Sequence, residues 1–359
     1  MEDKRSAAWL QLAGVLGFSG ILFGALHGGG EGTPAPPGSK EPSGKSISRS
    51  IRILALGDIN LGRRVGQQIL RGDTLYPFRH VRDTLVSYDV VFANLESNIS
   101  EQHGRTEHPR NNIIFTAPPA AAQALKWAGI TVVSTANNHA LDFGVRARDQ
   151  TMSYLDSVGI AHCGTALGTN DLFSPAVLKI KGFRLAFFAV TDIMNMIDPR
   201  WKRYVAYADT GALLPAVRAV RDSVDVVIVS FHGGEEYADH VTTRTRTFAR
   251  DVLRGGVDVF LGHHPHIPYG IEEGEKGIAV HSLGNFVFFQ PDRYWTRFSY
   301  AVSVSIVRDD RGTRCEGLRC LPLKADFQPE FLTAGEDSVK IMKRILALSS
   351  HDGTERLAW

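Results

Sequence analysis

Six short, mostly apolar runs in this chain each break off in residues that carry chemistry. The run from Ile51 to Leu56 stops at Gly57-Asp58. The run 88–96 ends in Asn94-Leu95-Glu96, and 129–139 ends in Asn137-Asn138-His139. The run 224–237 passes into His232, and 257–267 into His263, His264 and His266. The sixth, 277–288, carries His281 and Asn285. Aliphatic and β-branched runs of this length read as buried strands. Helical patterns lie between them at 77–86, 118–128, 144–158, 213–224 and 242–253. Strands alternating with helices predict α/β layers. Helices on both faces explain why the strands are apolar throughout and not at every second residue. In such sheets ligands bind beyond the carboxyl ends of the strands. The polar strand ends are therefore expected to meet on one rim.

The expected set is Asp58, Asn60, Glu96, Asn138, His139, His232, His264 and His266, with His263 nearby. Imidazole combined with carboxylate and amide oxygen suits one or two divalent ions such as Mn, Fe or Zn. So many histidines disfavour calcium. A carboxylate able to bridge two ions, with histidines from separate strands, fits a two-metal hydrolase that activates a water. Taken singly the pieces are weak. An Asp after a strand is commonly a cap, and Asn-Asn-His is commonly a turn. Three histidines within 263–266, directly after a buried strand, are the hardest to read as structural. Arg63 and Arg64 follow Asp58 and read either as anchors for an anionic substrate or as solvated charge.

The three cysteines are too few for a disulfide framework or a thiolate zinc site. Cys315 and Cys320 lie in an extended stretch, where five residues span about 16 Å, too far to bridge. Cys163 reads as a core residue. A net charge of +2 gives no reason to expect a nucleic-acid partner.

The ends read differently. Lys4 and Arg5 precede an uncharged, mostly apolar run at 7–27, long enough to cross a bilayer of about 30 Å. It predicts a membrane anchor, with residues 1–6 cytoplasmic and the rest extracytoplasmic. A cleaved signal peptide is the alternative. Residues 28–50, rich in Gly, Pro and Ser, predict a flexible linker. A folded domain is expected over 51–325. A C-terminal extension, 326–359, carries an amphipathic helix from Glu336 to Leu348.

The motifs resemble the CapA family of bacterial capsule and poly-γ-glutamate synthesis proteins, within the calcineurin-like metallophosphoesterase superfamily. The residues that carry the likeness are G-D-I-N-L-G-R (57–63), N-L-E-S (94–97), A-N-N-H-A-L-D-F-G (136–144), H-G-G-E-E-Y (232–237), G-H-H-P-H (262–266) and S-L-G-N-F (282–286). The resemblance implies a four-layer α/β/β/α sandwich with metal-binding loops at the strand ends. It implies Asp58, Asn138, His232, His264 and His266 as metal ligands. It puts Glu96 where ordinary metallophosphoesterases have a bridging aspartate. His139 would be general acid or transition-state donor. The family's His-x-His spacing selects His264 and His266 over His263. Asn60, Arg63, His263, Glu236 and Asn285 are the expected supporting or substrate contacts. Two departures stand out. Many members have His-Trp-Gly where this chain has His232-Gly233-Gly234. Classical members have Asp-x-His where it has Asp58-Ile59-Asn60, a weaker donor set that predicts one ion, or two unequally held.

The function implied is an anchored, metal-dependent hydrolase of capsule or poly-γ-glutamate synthesis, acting on a phosphoester or a polymer linkage. Its partners would be an anionic polymer or phosphoester substrate and membrane synthase or export subunits. The alternative is a non-catalytic polymer-binding or scaffold subunit. A histidine beside a ligand asparagine favours chemistry.

Overall fold

The strand Arg49–Ile59 shows why the apolar runs do not alternate. In the computed structural model, which describes residues 49–274, 276–351 and 357–358, Ile51, Ile53 and Ala55 enter one buried core. Leu54 and Leu56 enter another on the opposite face. The strand Val226–His232 behaves alike: Val226 and Ile228 join the first core, and Val227, Val229 and Phe231 a third. The first core lies between two sheets, where Phe92 of one stacks on Phe187 of the other, 5.8 Å between ring centroids. The second packs the first sheet on Ala121, Leu125 and Ala128 of the helix Ala121–Ala128. The third packs the second sheet on Leu213 and Val217 of Thr210–Arg221 and on Ala249 and Val252 of Thr243–Arg254. The result is a mixed α/β sandwich. Each fully buried aliphatic or phenyl side chain in these layers contributes about 1.5–3 kcal/mol.

In the first sheet, Arg49–Ile59 runs parallel to Val90–Leu95, which is parallel to Val132–Ser134. On its other side it pairs antiparallel with Phe298–Asp309. In the second, Phe183–Thr191, Val226–His232, Val259–His263 and Gly277–Val280 are parallel. Parallel register delivers their ends to one level. Asp58 stands opposite Asn94 and Asn285, and His232 opposite His263 and Thr191. The strand Phe183–Thr191 is absent from the six runs read in the sequence.

Gly57 is required by contact, not by turning. A Cβ there would lie 2.0 Å from the Gly284 carbonyl oxygen and 2.9 Å from its carbon. Both are backbone atoms of the loop leading into Asn285–Val287, so neither yields without moving that pairing. Gly57→Ala is expected to lower stability by about 3 kcal/mol, read as a shift in the urea midpoint. An unchanged midpoint would show that the two segments separate freely.

Two expectations are corrected. The pattern at 77–86 is not one helix. It is a 3-10 turn, Tyr76–Phe78, then a four-residue helix, Arg82–Leu85. Phe78, Val81 and Leu85 are all buried, so the broken turn still presents the apolar face that produced the pattern. The single-pass membrane placement, with its transmembrane helix and extracytoplasmic domain, does not stand either. Among the described residues no helix is long and apolar enough to cross a membrane. The longest, Gly144–Ser157, has 14 residues and spans only about 21 Å. Segments 1–6, 7–27 and 28–48 lie outside the described residues. The C-terminal helix occupies Glu336–Leu348, docking Ile341, Met342 and Ile345, and none of the three cysteines forms a disulfide among the described residues.

Candidate metal centre

Glu96 follows the strand Val90–Leu95 and is fully buried, yet neither carboxylate oxygen has a hydrogen-bond partner among the described residues. Three imidazoles surround one of those oxygens. Oε1 is 3.7 Å from His232 Nε2 and 3.8 Å from the Nε2 atoms of His139 and His266. These distances are too long for hydrogen bonds. Metal–ligand bonds of about 2.0–2.2 Å put neighbouring donor atoms about 3–4 Å apart. For His232 and His266, which also share donor groups with Glu96, the spacing is that of ligands around an ion. An orphaned buried carboxylate is otherwise expensive, so the residues present fit a divalent metal.

Donor atoms fall into overlapping groups. Glu96, His232 and His264 bring one set within 4.8 Å of one another, and Asp58, Glu96 and His266 bring a second. Glu96 belongs to both. Asn138 reaches the first set, its Oδ1 lying 2.8 Å from His232 Nε2. Burial and neighbouring imidazoles depress the basicity of the histidines. Desolvation, then the charge of His264, holds His232 well below its usual range. Desolvation, then His266, pushes His264 down to about 3. Both stay neutral and free to bind metal. Burial alone would raise the Asp58 pKa, but His263 and His266 outweigh it and hold the carboxyl well below its ordinary value. Glu96 is pushed well above its own, first by burial and then by Asp58 and Glu236. The two ends of the range meet in one cluster.

The remaining expected residues take other places. Asn60 Oδ1 accepts from the Gly62 amide at 2.9 Å and so closes a turn. His263 lies beneath Asp58, with Nδ1 3.2 Å from Oδ1 and its ring against Phe92. Asn285 Oδ1 is 2.8 Å from His266 Nδ1, which leaves Nε2 to face Glu96. Arg63 turns back at φ 48°, bonds the Asn112 carbonyl and covers the Phe115 ring at 4.8 Å. Glu236 stays exposed at the mouth, within reach of His264 and His266. Both of those histidines have positive φ, 95° and 60°, a strained arrangement for residues with side chains.

Several residues of the site went unread in the sequence. Asp142 Oδ2 is 2.8 Å from His139 Nδ1, and Phe115 stacks on the same imidazole at 4.2 Å. Asn94 Nδ2 donates to Asp58 Oδ1 at 2.8 Å and lies 3.1 Å from His232 Nδ1. Asn195 Oδ1 accepts from Asn138 Nδ2 at 3.1 Å, fixing the amide so that the Asn138 oxygen faces His232. Asp192 fills the space beside Gly233, where a Cβ would lie 1.8 Å from its Oδ1. A side chain at 233, such as the tryptophan of the His-Trp-Gly pattern, would meet this carboxylate, which is ion-paired with Arg244 Nε at 2.9 Å. Asp192 and Asn195 follow the strand Phe183–Thr191, whose apolar run ending in Thr191-Asp192 carries the same signal as the others.

Comparison with known proteins agrees with these motifs. The chain is 28% identical over 306 residues to the capsule biosynthesis protein CapA of Bacillus anthracis, covering 83% of this chain and 73% of that protein. It is 28% identical over 263 residues to the PGA biosynthesis protein CapA of Bacillus subtilis (strain 168), covering 72% and 68%. Among solved structures, a 5'-nucleotidase from Candida albicans overlaps loosely, with a TM-score of 0.44 and 11% identity over 72% of this chain and 52% of that one. The profile of the bacterial capsule synthesis protein PGA_cap matches residues 52–290. Through that match and the strand-end motifs within it, the chain belongs to the PGA_cap family of bacterial capsule synthesis proteins.

Proposed function

We propose that this chain is a metal-dependent hydrolase of capsule or poly-γ-glutamate synthesis that cleaves a phosphoester or a linkage of the polymer. The observation that carries the reading is the Glu96 carboxylate, fully buried, without a hydrogen-bond partner among the described residues, and ringed by imidazole nitrogens. Asp58, Glu96 and His266 would hold one ion, and Glu96, Asn138, His232 and His264 a second. A bound divalent ion would supply Lewis acidity, lowering the pKa of a water so that it is nucleophilic at neutral pH and polarising the phosphoryl or carbonyl group under attack. The chain supplies the rest. Asp142 orients His139 through Nδ1, so its Nε2 faces the cluster and can deliver a proton to a leaving group or stabilise the charge it develops. Phe115 holds the ring in plane from one side. Arg63, over the Phe115 ring, adds positive charge for an anionic substrate. A site that only bound polymer has no use for an imidazole fixed in this way by a buried carboxylate.

Elemental analysis of the purified full chain tests the reading. One or two equivalents of Mn, Fe or Zn are expected, and the ion held by Asp58 and His266 is expected to be lost in Asp58→Ala/His266→Ala. A folded wild-type protein that takes up no metal after reconstitution would sink the hydrolase and leave a polymer-binding scaffold as the better account.

A further inference from the structure

We infer that Glu236 is a third carboxylate ligand of this metal centre, closing it from the solvent side. The inference rests on the metal-centre reading above. Its starting point is a third donor group, Glu236, His264 and His266, which shares one histidine with each of the other two groups. Glu236 comes from the other sheet. Its carboxylate lies within 4.8 Å of the donor nitrogens of both His264 and His266, one from each set. Glu96 reaches both sets from the buried side; Glu236 reaches both from the mouth.

The backbone holds Glu236 there. The chain leaves His232 through Gly233 and Gly234, the latter at φ 104°. The next turn is pinned to the histidine loop, where the Tyr237 amide donates to the Pro265 carbonyl at 3.0 Å. Tyr237, at φ 62°, stacks on His266 with 6.0 Å between ring centroids, and its hydroxyl accepts from Gln290 Nε2 at 3.1 Å. The Arg293 guanidinium lies over the same ring at 4.8 Å. The residue after Glu236 is therefore docked onto one of the ligands. Glu236 and Glu96 both lie within 4.8 Å of His264 and of His266, and carboxylates gathered that closely repel unless cations lie among them. Hard carboxylate oxygen also shifts preference toward Mn or Fe and away from Zn.

The consequence is two-sided. Glu236 strengthens metal binding and places a negative charge where an anionic substrate must enter. Titration of Mn2+ into metal-free full chain separates these effects from simple electrostatics. Glu236→Gln is expected to weaken one binding event on the order of tenfold or more, and to tighten binding of orthophosphate to the metal-loaded protein. Glu235→Gln removes the same charge one residue away from an exposed position and is expected to change neither. Co2+ substitution gives an independent readout, because losing an oxygen ligand alters the visible absorption of the bound ion. Equal Mn2+ affinity and an identical Co2+ spectrum in wild type and Glu236→Gln overturn the inference while leaving the metal centre intact. Equal weakening by Glu235→Gln also overturns it, in favour of a diffuse charge effect. A wild-type chain that binds no Mn2+ or Co2+ overturns the inference and the metal-centre reading together.

Discussion

His139→Ala is expected to lower kcat on an alkyl phosphoester on the order of 10²- to 10⁴-fold with metal content unchanged. His139 stands outside the donor groups, so its loss removes a proton donor and no ligand. Its Nδ1 is committed to Asp142 and its ring to Phe115, leaving Nε2 as the working atom. The comparison of substrates carries the argument. A nitrophenolate leaves without a proton, whereas an alkoxide needs one. The loss for a nitrophenyl ester is therefore expected to be much smaller than for the alkyl ester. Asp142→Asn retains the imidazole but weakens its orientation, and is expected to fall between wild type and His139→Ala. Equal losses on both esters would assign His139 to substrate binding, and no loss on either would remove it from the mechanism.

How much of this could be read beforehand follows from what each residue depends on. Asp58, Glu96 and the 263–266 histidines were legible because each lies at the end of an apolar strand, and strand direction alone brings such ends together. Their separation into two overlapping donor sets was not. It depends on which side of each strand end faces the opposite sheet, as His263 shows. It is adjacent to His264 yet sits beneath Asp58 against Phe92. Asn60 was read as part of the cluster, but a short amide can close its own turn, and here it does. Asp142 lay in view three residues after His139. A loop of that length does not announce whether the pair meets, and the contact is settled by the turn before the helix Gly144–Ser157. Asn195 depended on a strand that was overlooked. The Phe183–Thr191 run includes Arg184 near its start and looks less uniform than its neighbours. The layers followed the apolar runs closely because burial on both faces leaves little choice of residue.

Glu96→Gln is expected to abolish metal binding and, in the presence of chelator at pH 8, to make the protein more stable than wild type. The two effects share a cause. Without metal the wild-type chain holds a fully buried carboxylate that no donor satisfies. Burial first, and then Asp58 and Glu236, raise its pKa well above the usual 4.5. A group that binds protons more tightly when folded favours the folded state in acid. That advantage fades as pH rises above about 4.5 through the folded value. A neutral amide of nearly the same volume has no such dependence. The gain from Glu96→Gln is therefore expected to be small below about pH 4.5, to grow toward pH 8, and to reach about 1–4 kcal/mol. His232 and His264 act in the opposite direction. Their folded pKa values lie below 6.5, so their burial opposes folding in acid and ceases to matter above about pH 6.5. They are common to both proteins and cancel in the difference. Urea midpoints at pH 5 and pH 8, with chelator and with saturating Mn2+, measure all of this. Added Mn2+ is expected to stabilise wild type and to leave Glu96→Gln unmoved, because only a ligand that binds the folded state shifts the balance. A variant less stable than wild type at pH 8 in chelator would mean that the carboxylate is held by structure and not by an ion. The same residue would then lose its place as the centre of the site.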